Sequence, residues 1–352
     1  MRKELGMFVA LAALCAVLAY SNSAFYGDAN VLNTTRQIAL LGIYAIGISF
    51  VIITGGIDLS VGSIIGLTGV IIARISAPVV GGGVASGAGQ SIWLGIGVAL
   101  GVALLIGLAQ GLLITRLSLQ PFIVTLGGML FIRGVAQTIT GGGNISFLNH
   151  PFRALGDEGI PLWGSLVIPY PVLICAAVFA VGTYLLHFTV FGRHLFAIGG
   201  NRDAARYSGI PVQRVETLAY VLSAGLAGLA GIPYAAYIGQ MSHAVGEAYE
   251  LYAITAVVLG GCSLRGGEGT VLGVLIGSAV IGILNNGINM FQIQTQTTDA
   301  AGKIVTSTWR LDENWKNMIN GGVILGAVIL DQVTHMLRAR KRRLRAGDAK
   351  KG

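Results

Sequence analysis

A chain of 352 residues that is 54% apolar and only 11% charged cannot cover a water-facing surface, because soluble domains carry about 25% charged residues. Its 53 glycines sit among Leu, Ile, Val and Ala without a three-residue period, which excludes collagen-like and low-complexity chains. The net charge of +8 is not a nucleic-acid face, since eight of the 23 Lys and Arg crowd into the last fifteen residues, the mark of a cytoplasmic end behind an apolar segment.

The solvent is therefore lipid, and the expected fold class is all-α: a polytopic transmembrane helical bundle with broken helices. A spanning helix needs about 20 apolar residues. Ten segments answer, at 6–21, 36–54, 59–77, 91–115, 120–140, 165–187, 216–238, 250–262, 269–290 and 316–337. The first follows Arg2 and Lys3 and precedes Ser21-Asn22-Ser23-Ala24, the outline of a signal peptide. The many later spans favour an uncleaved helix.

Between the second and third spans lies Thr54–Ser63, TGGIDLSVGS. Gly55 and Gly56 break the helix, and Asp58 or Ser60 caps the next one. An acid beside a span suggests ion or proton relay. At the cytoplasmic rim, where this topology puts Asp58, capping is sufficient. No second acid lies in the middle of a span, which argues against a proton- or sodium-coupled carrier.

The fourth and fifth spans carry the amides Gln110 and Gln137. After the sixth comes 191–215, the longest polar interval expected inside. Here Asn201 is an N-cap, Asp203 suits the first turn, Ala204 and Ala205 favour helix, Gly209 suits a left-handed stop and Pro211 prevents continuation. Residues 202–208 are thus expected to form two turns, about 10 Å long. So short a helix needs a partner. Two readings stand on the residues alone: a connector pressed into a groove of a cytosolic protein, or a capped helix on the membrane surface.

The eighth span, 250–262, is short and expected to be partly re-entrant. It leads into Leu259–Gly269, with Gly260, Gly261, Gly266 and Gly267. The pairs resemble a phosphate loop, but no Gly-Lys-Ser/Thr accompanies them. Val51–Ser60 and Val257–Gly266 echo one another, each ahead of an apolar helix, which suggests a parallel internal repeat. Asn285, Asn286 and Asn289 close the ninth span and either meet sugar hydroxyls in a pore or fasten helix to helix. The segment 291–315 is too hydrophilic to span and is placed outside, and 341–352 forms a basic tail.

With both termini cytoplasmic, sixteen of the 23 Lys and Arg fall inside. The five His form no HExxH, no GxSxG occurs, and Cys15, Cys175 and Cys262 lack metal spacing. Neither catalytic residues nor a metal site is expected.

These blocks resemble the permease subunits of carbohydrate ATP-binding-cassette importers of the ribose, xylose, arabinose and galactose type, distant relatives of the branched-chain amino-acid permeases. Thr54–Ser63, including Gly62 and Ser63, is similar to that family's signature. Gly192–Asn201 followed by Ala204–Ile210 looks like its coupling loop. Gln120–Met129 with Arg133-Gly134, Tyr249–Leu251 with Ala256–Gly261, and Leu284–Asn289 also match. The resemblance implies that Gly200, Asn201, Arg202, Asp203, Ala204, Ala205, Arg206, Tyr207, Ser208 and Gly209 dock a separate cytosolic ATPase that binds ATP and Mg. It implies a periplasmic sugar-binding protein, a second or sister permease, and one permease domain over 1–340 in a bacterial inner membrane. The 291–315 insertion departs from the family pattern. Branched-chain amino acids, nucleosides and autoinducer sugars are alternative cargoes, and a secondary carrier or channel is the alternative from another class.

Overall fold

In the computed structural model the described residues are 2–79, 87–148, 150–163, 166–298 and 304–310, with 315, 318–323, 325, 326, 329, 332, 333 and 336 beyond them. Ten of the 22 residues of the expected span 316–337 and all of the tail 341–352 lie outside them. The chain divides into two compact units, residues 1–283 and 284–352.

The first unit is helical almost throughout: α1 (Arg2–Ser21), α2 (Asp28–Ile53), α3 (Val61–Ser76), α4 (Ile92–Arg116), α5 (Pro121–Thr140), α6 (Ala154–Asp157), α7 (Tyr170–Phe188), α8 (Val190–Gly200), α9 (Arg202–Tyr207), α10 (Val212–Ile238), α11 (Tyr249–Leu259) and α12 (Val271–Met290), whose end enters the second unit. Six of these are long and apolar enough to span a bilayer, and α3, α11 and residues 5–21 of α1 are shorter apolar helices. Short antiparallel pairs join β1 (Ile145–Ser146) to β4 (Gln240–Met241) and β2 (Gly159–Trp163) to β3 (Leu166–Pro169).

Long apolar runs dictate helices, because in lipid every backbone N–H and C=O must be satisfied within the segment. What sorts them is side-chain size. The central α10 packs most extensively on α4, then on α2 and α3. Its inward stripe is small: Ala219, Ala224, Ala227, Gly228 and Gly231 are all buried. Ala99, Ala103, Gly107 and Gly111 line the facing side of α4. A Cβ at Gly107 would stand 2.7 Å from both Ala224 Cβ and Tyr220 O, so only glycine permits this approach. Lipid tails are as apolar as Leu, so such close backbone contact, not expulsion of water, drives membrane helices together. The large side chains go outward instead: Leu105, Phe131, Val181 and Phe188 are exposed on α4, α5 and α7.

Two elements were not among the expectations. The stretch after Phe191 is not a loop up to residue 201: Thr189 caps α8 by accepting from Gly192 N, and the helix runs to Gly200. In the second unit, residues 291–315 contain an antiparallel hairpin, β5 (Gln292–Thr298) with β6 (Ile304–Arg310), paired from Gln292↔Arg310 to Thr298↔Ile304. α11 is as short as expected, and the chain before it, from 242 to 248, is non-helical.

Candidate functional site

The two glycine breaks fold alike. After α2, Gly55 takes φ +85°, its N–H donates to Ile52 O (2.9 Å), and Gly56 N–H donates to Val51 O (3.1 Å). After α11, Gly261 takes φ +85°, its N–H donates to Val258 O (2.9 Å), and Cys262 N–H donates to Val257 O (3.1 Å). Both are Schellman stops, which need a residue without a Cβ in the left-handed position. Gly260 is the C-cap of α11. The sequence echo is thus also a backbone echo.

The breaks also touch. Gly267 N–H donates to Ile53 O at 2.8 Å. A Cβ on Gly266 would fall 2.8 Å from Gly55 N and 2.9 Å from Gly199 Cα, and one on Gly267 would fall 3.0 Å from Gly200 N. Both breaks and the end of α8 therefore meet backbone to backbone, immediately before Asn201.

From that junction α9 projects. Asn201 Oδ1 accepts from Ala204 N (2.9 Å), the expected N-cap. Gly209 takes φ +81°. Ala205 is buried, whereas Asn201, Arg202, Asp203, Ala204, Arg206, Tyr207, Ser208 and Gly209 are exposed, Tyr207 by 90%. Arg202 reaches back to α10: Nε donates to Glu216 Oε1 (2.8 Å) and Nη2 to Oε2 (2.9 Å). The Glu216 side chain is 8% exposed. The bond from Glu216, with Asp203 adding its charge, raises the Arg202 pKa further, against a smaller opposing effect of burial. Arg202, Glu216 and Tyr220 line a cleft of about 300 Å³ together with Thr54–Gly56 and residues 118–121.

Asp58 departs from expectation. It does not cap α3, and it is fully buried within the chain. Its Oδ1 accepts from Ser60 N (2.9 Å) and Ser60 Oγ (2.7 Å), and its Oδ2 accepts from Ser223 Oγ (2.8 Å) on α10. Ser60 stands at the N-cap of α3 without a side-chain cap bond. Its Oγ also lies 3.0 Å from the Gln110 amide of α4, and Ser63 Oγ donates to Ser60 O (2.7 Å). Asp58 thus ties the break to two neighbouring helices. Gly62 has a different reason: a Cβ there would strike the Glu250 carboxylate and Gly246 O, so glycine lets α3 pack on the start of α11.

The five amides have different settings. Gln110 is buried within the Asp58 network, while Gln137 is exposed in the last turn of α5. In the second unit Asn285 Oδ1 accepts from Asn320 Nδ2 (3.1 Å), Asn286 is buried and Asn289 is exposed. Sequence reasoning missed Glu216, Tyr220, Ser223 and Glu250. Glu216 and Glu250, each an acid opening an apolar span, left a trace. Among the described residues no group of His, Cys, Asp or Glu could hold a metal.

The family profile described as "Branched-chain amino acid transport system / permease component" matches residues 30–328. The chain belongs to this permease family. The permease is 39% identical to the ribose import permease protein RbsC of Bacillus subtilis, over 94% of this chain and 93% of that protein. It is 39% identical to RbsC of Escherichia coli K12, over 82% and 86%. It is 30% identical to the xylose transport system permease protein XylH of Haemophilus influenzae, over 93% and 96%. No solved structure matches it. The relatives are transport permeases, and this chain is a multi-pass membrane protein of their kind.

Proposed function

We propose that this permease is the membrane subunit of an ATP-binding-cassette importer and forms the path for a monosaccharide delivered by a periplasmic binding protein. The observation that carries the reading is α9. It is an exposed, N-capped helix rooted where both helix breaks meet, with only Ala205 buried against the rest of the chain. A helix of six residues is unstable alone, and the free face of α9 suits a groove on a separate ATPase.

On this reading the permease hydrolyses nothing itself. ATP and Mg belong to the ATPase, a second copy or sister subunit completes the path, and α9 faces the cytoplasm of a bacterial cell whose inner membrane holds the chain. The relatives' names make ribose and xylose the first sugars to test. Leucine is the control for the branched-chain description of the family.

The test is reconstitution into lipid vesicles with a partner ATPase and a sugar-binding protein. Uptake of labelled ribose, xylose and leucine is measured with ATP hydrolysis. Monosaccharide uptake that requires both partners and ATP is expected. Solute movement by the isolated chain without nucleotide overturns the reading in favour of a carrier or channel.

A further inference from the structure

We propose that Arg202 and Glu216 form a positioning strut that locks α9 to α10, so that displacement of the exposed helix is delivered to the buried Asp58 junction. The inference rests on the importer reading and deepens it by naming the pair through which the ATPase acts.

Apart from its root at the glycine junction, α9 is held to α10 by little without this pair. Its one buried side chain is a methyl group, Ala205, and its link to α10 passes through Gly209 in the left-handed region. A two-turn helix anchored in this way can rock. The Arg202 guanidinium removes that freedom, because two parallel N–H···O bonds fix direction as well as distance. An exposed ion pair in water would hold little. Here the carboxylate partner is nearly covered, so water competes weakly for it, and losing Arg202 leaves a buried charge alone.

What the strut grips is connected onward. Glu216, Tyr220 and Ser223 follow at i, i+4 and i+7 on one face of α10, spanning about 10 Å of rigid helix. Tyr220 sets its hydroxyl against Gly56 of the first break. Ser223 holds Asp58, and Asp58 holds Ser60, which meets Gln110 on α4. A cleft of about 300 Å³ is lined by both members of the strut and by the Thr54–Gly56 break. Beside its root at the glycine junction, α9 thus has a second route to the break, through one ion pair and one helix.

The test is a charge-reversal cycle in the assembled transporter, reading sugar carried per ATP hydrolysed. Arg202→Glu and Glu216→Arg are each expected to lower that ratio about tenfold while the ATPase still copurifies. The double reversal restores the pair and is expected to recover the ratio to within about threefold, a rescue that no independent loss of packing gives. Glu216→Gln, which keeps the shape, is expected to lower the ratio without shifting the thermal midpoint, and it serves if a reversal fails to accumulate. A double reversal as impaired as the worse single, or an unchanged ratio in Glu216→Gln, overturns the strut. Arg206→Asp with Tyr207→Ala, on the free face of α9, tests the importer reading separately: if ATPase binding survives that change untouched, the docking role of α9 falls, and the strut falls with it.

Discussion

Replacing Asp58 separates a structural acid from an ion-carrying one. Three donors converge on its carboxylate, and it has no exposed surface from which water could take their place. Asp58→Ala removes all three bonds and leaves the Ser60 N–H without its acceptor. Hydrogen bonds between membrane helices average about 0.6 kcal/mol. At that rate the loss is about 2 kcal/mol. If charge-assisted bonds keep about 1.5 kcal/mol each, it rises to about 5 kcal/mol. Asp58→Asn keeps an oxygen toward Ser60 and turns its amide toward Ser223, whose hydroxyl can rotate to accept, so it loses about 1 kcal/mol. The thermal midpoint of the detergent-purified permease is therefore expected to fall by several degrees for alanine and by much less for asparagine. Sugar uptake by the asparagine variant should stay within about threefold of wild type. An alanine variant as stable as wild type refutes the bonding argument. An asparagine variant of normal stability that transports nothing would make Asp58 an ion carrier and refute the structural assignment.

Gly266 and Gly261 separate strain from collision. Both have positive φ, but a Cβ at Gly261 meets nothing within 4 Å while one at Gly266 meets backbone of Gly55 and Gly199. Gly261→Ala should lose about 1 kcal/mol by thermal unfolding, and Gly266→Ala clearly more, because backbone cannot step aside. Asn201→Ala removes the cap of α9 and should cost that helix about 1 kcal/mol, seen as faster hydrogen exchange at Ala204 and Ala205, with Asn201→Ser close to wild type. Among the described residues, the buried Tyr220 hydroxyl has no hydrogen-bond partner. Tyr220→Phe should leave the thermal midpoint unchanged or raise it slightly, and a fall of several degrees would mean that the hydroxyl is bonded.

Helix placement was legible because apolar runs in lipid have one outcome. The expected spans 91–115 and 120–140 match α4 and α5 within a residue at each end. The cap at Asn201 and the stop at Gly209 were legible because each is a local backbone event. α8 was missed because Gly192, Gly199 and Gly200 read as loop, though backbone contact with Gly266 and Gly267 explains the latter two. The hairpin β5/β6 was missed although Ile293, Thr295 and Thr297 alternate with glutamines and threonine, a period-two signal hidden among polar residues. The bonding of Asp58 is not legible in the sequence, because the partners in its network beyond Ser60 stand on other helices. Its bond to Ser223 crosses 165 positions, and Glu216 lies fourteen from Arg202. Such pairings are set by packing and leave no mark in the sequence.

The brevity of α11 bears on how the chain is made. Eleven residues rise about 16 Å, roughly half a hydrocarbon core. The insertion machinery partitions segments by their own greasiness, and one this short gains too little to leave for lipid unaided. Its berth is protein: Gly62 and Gly66 of α3 press on the carbonyls of Gly246 and Val245 just upstream, and Ile145 pairs with Met241. α3, with the Ile145 strand that pairs beside it, must therefore be in place first, and α11 settles late, as a guest of helices already threaded.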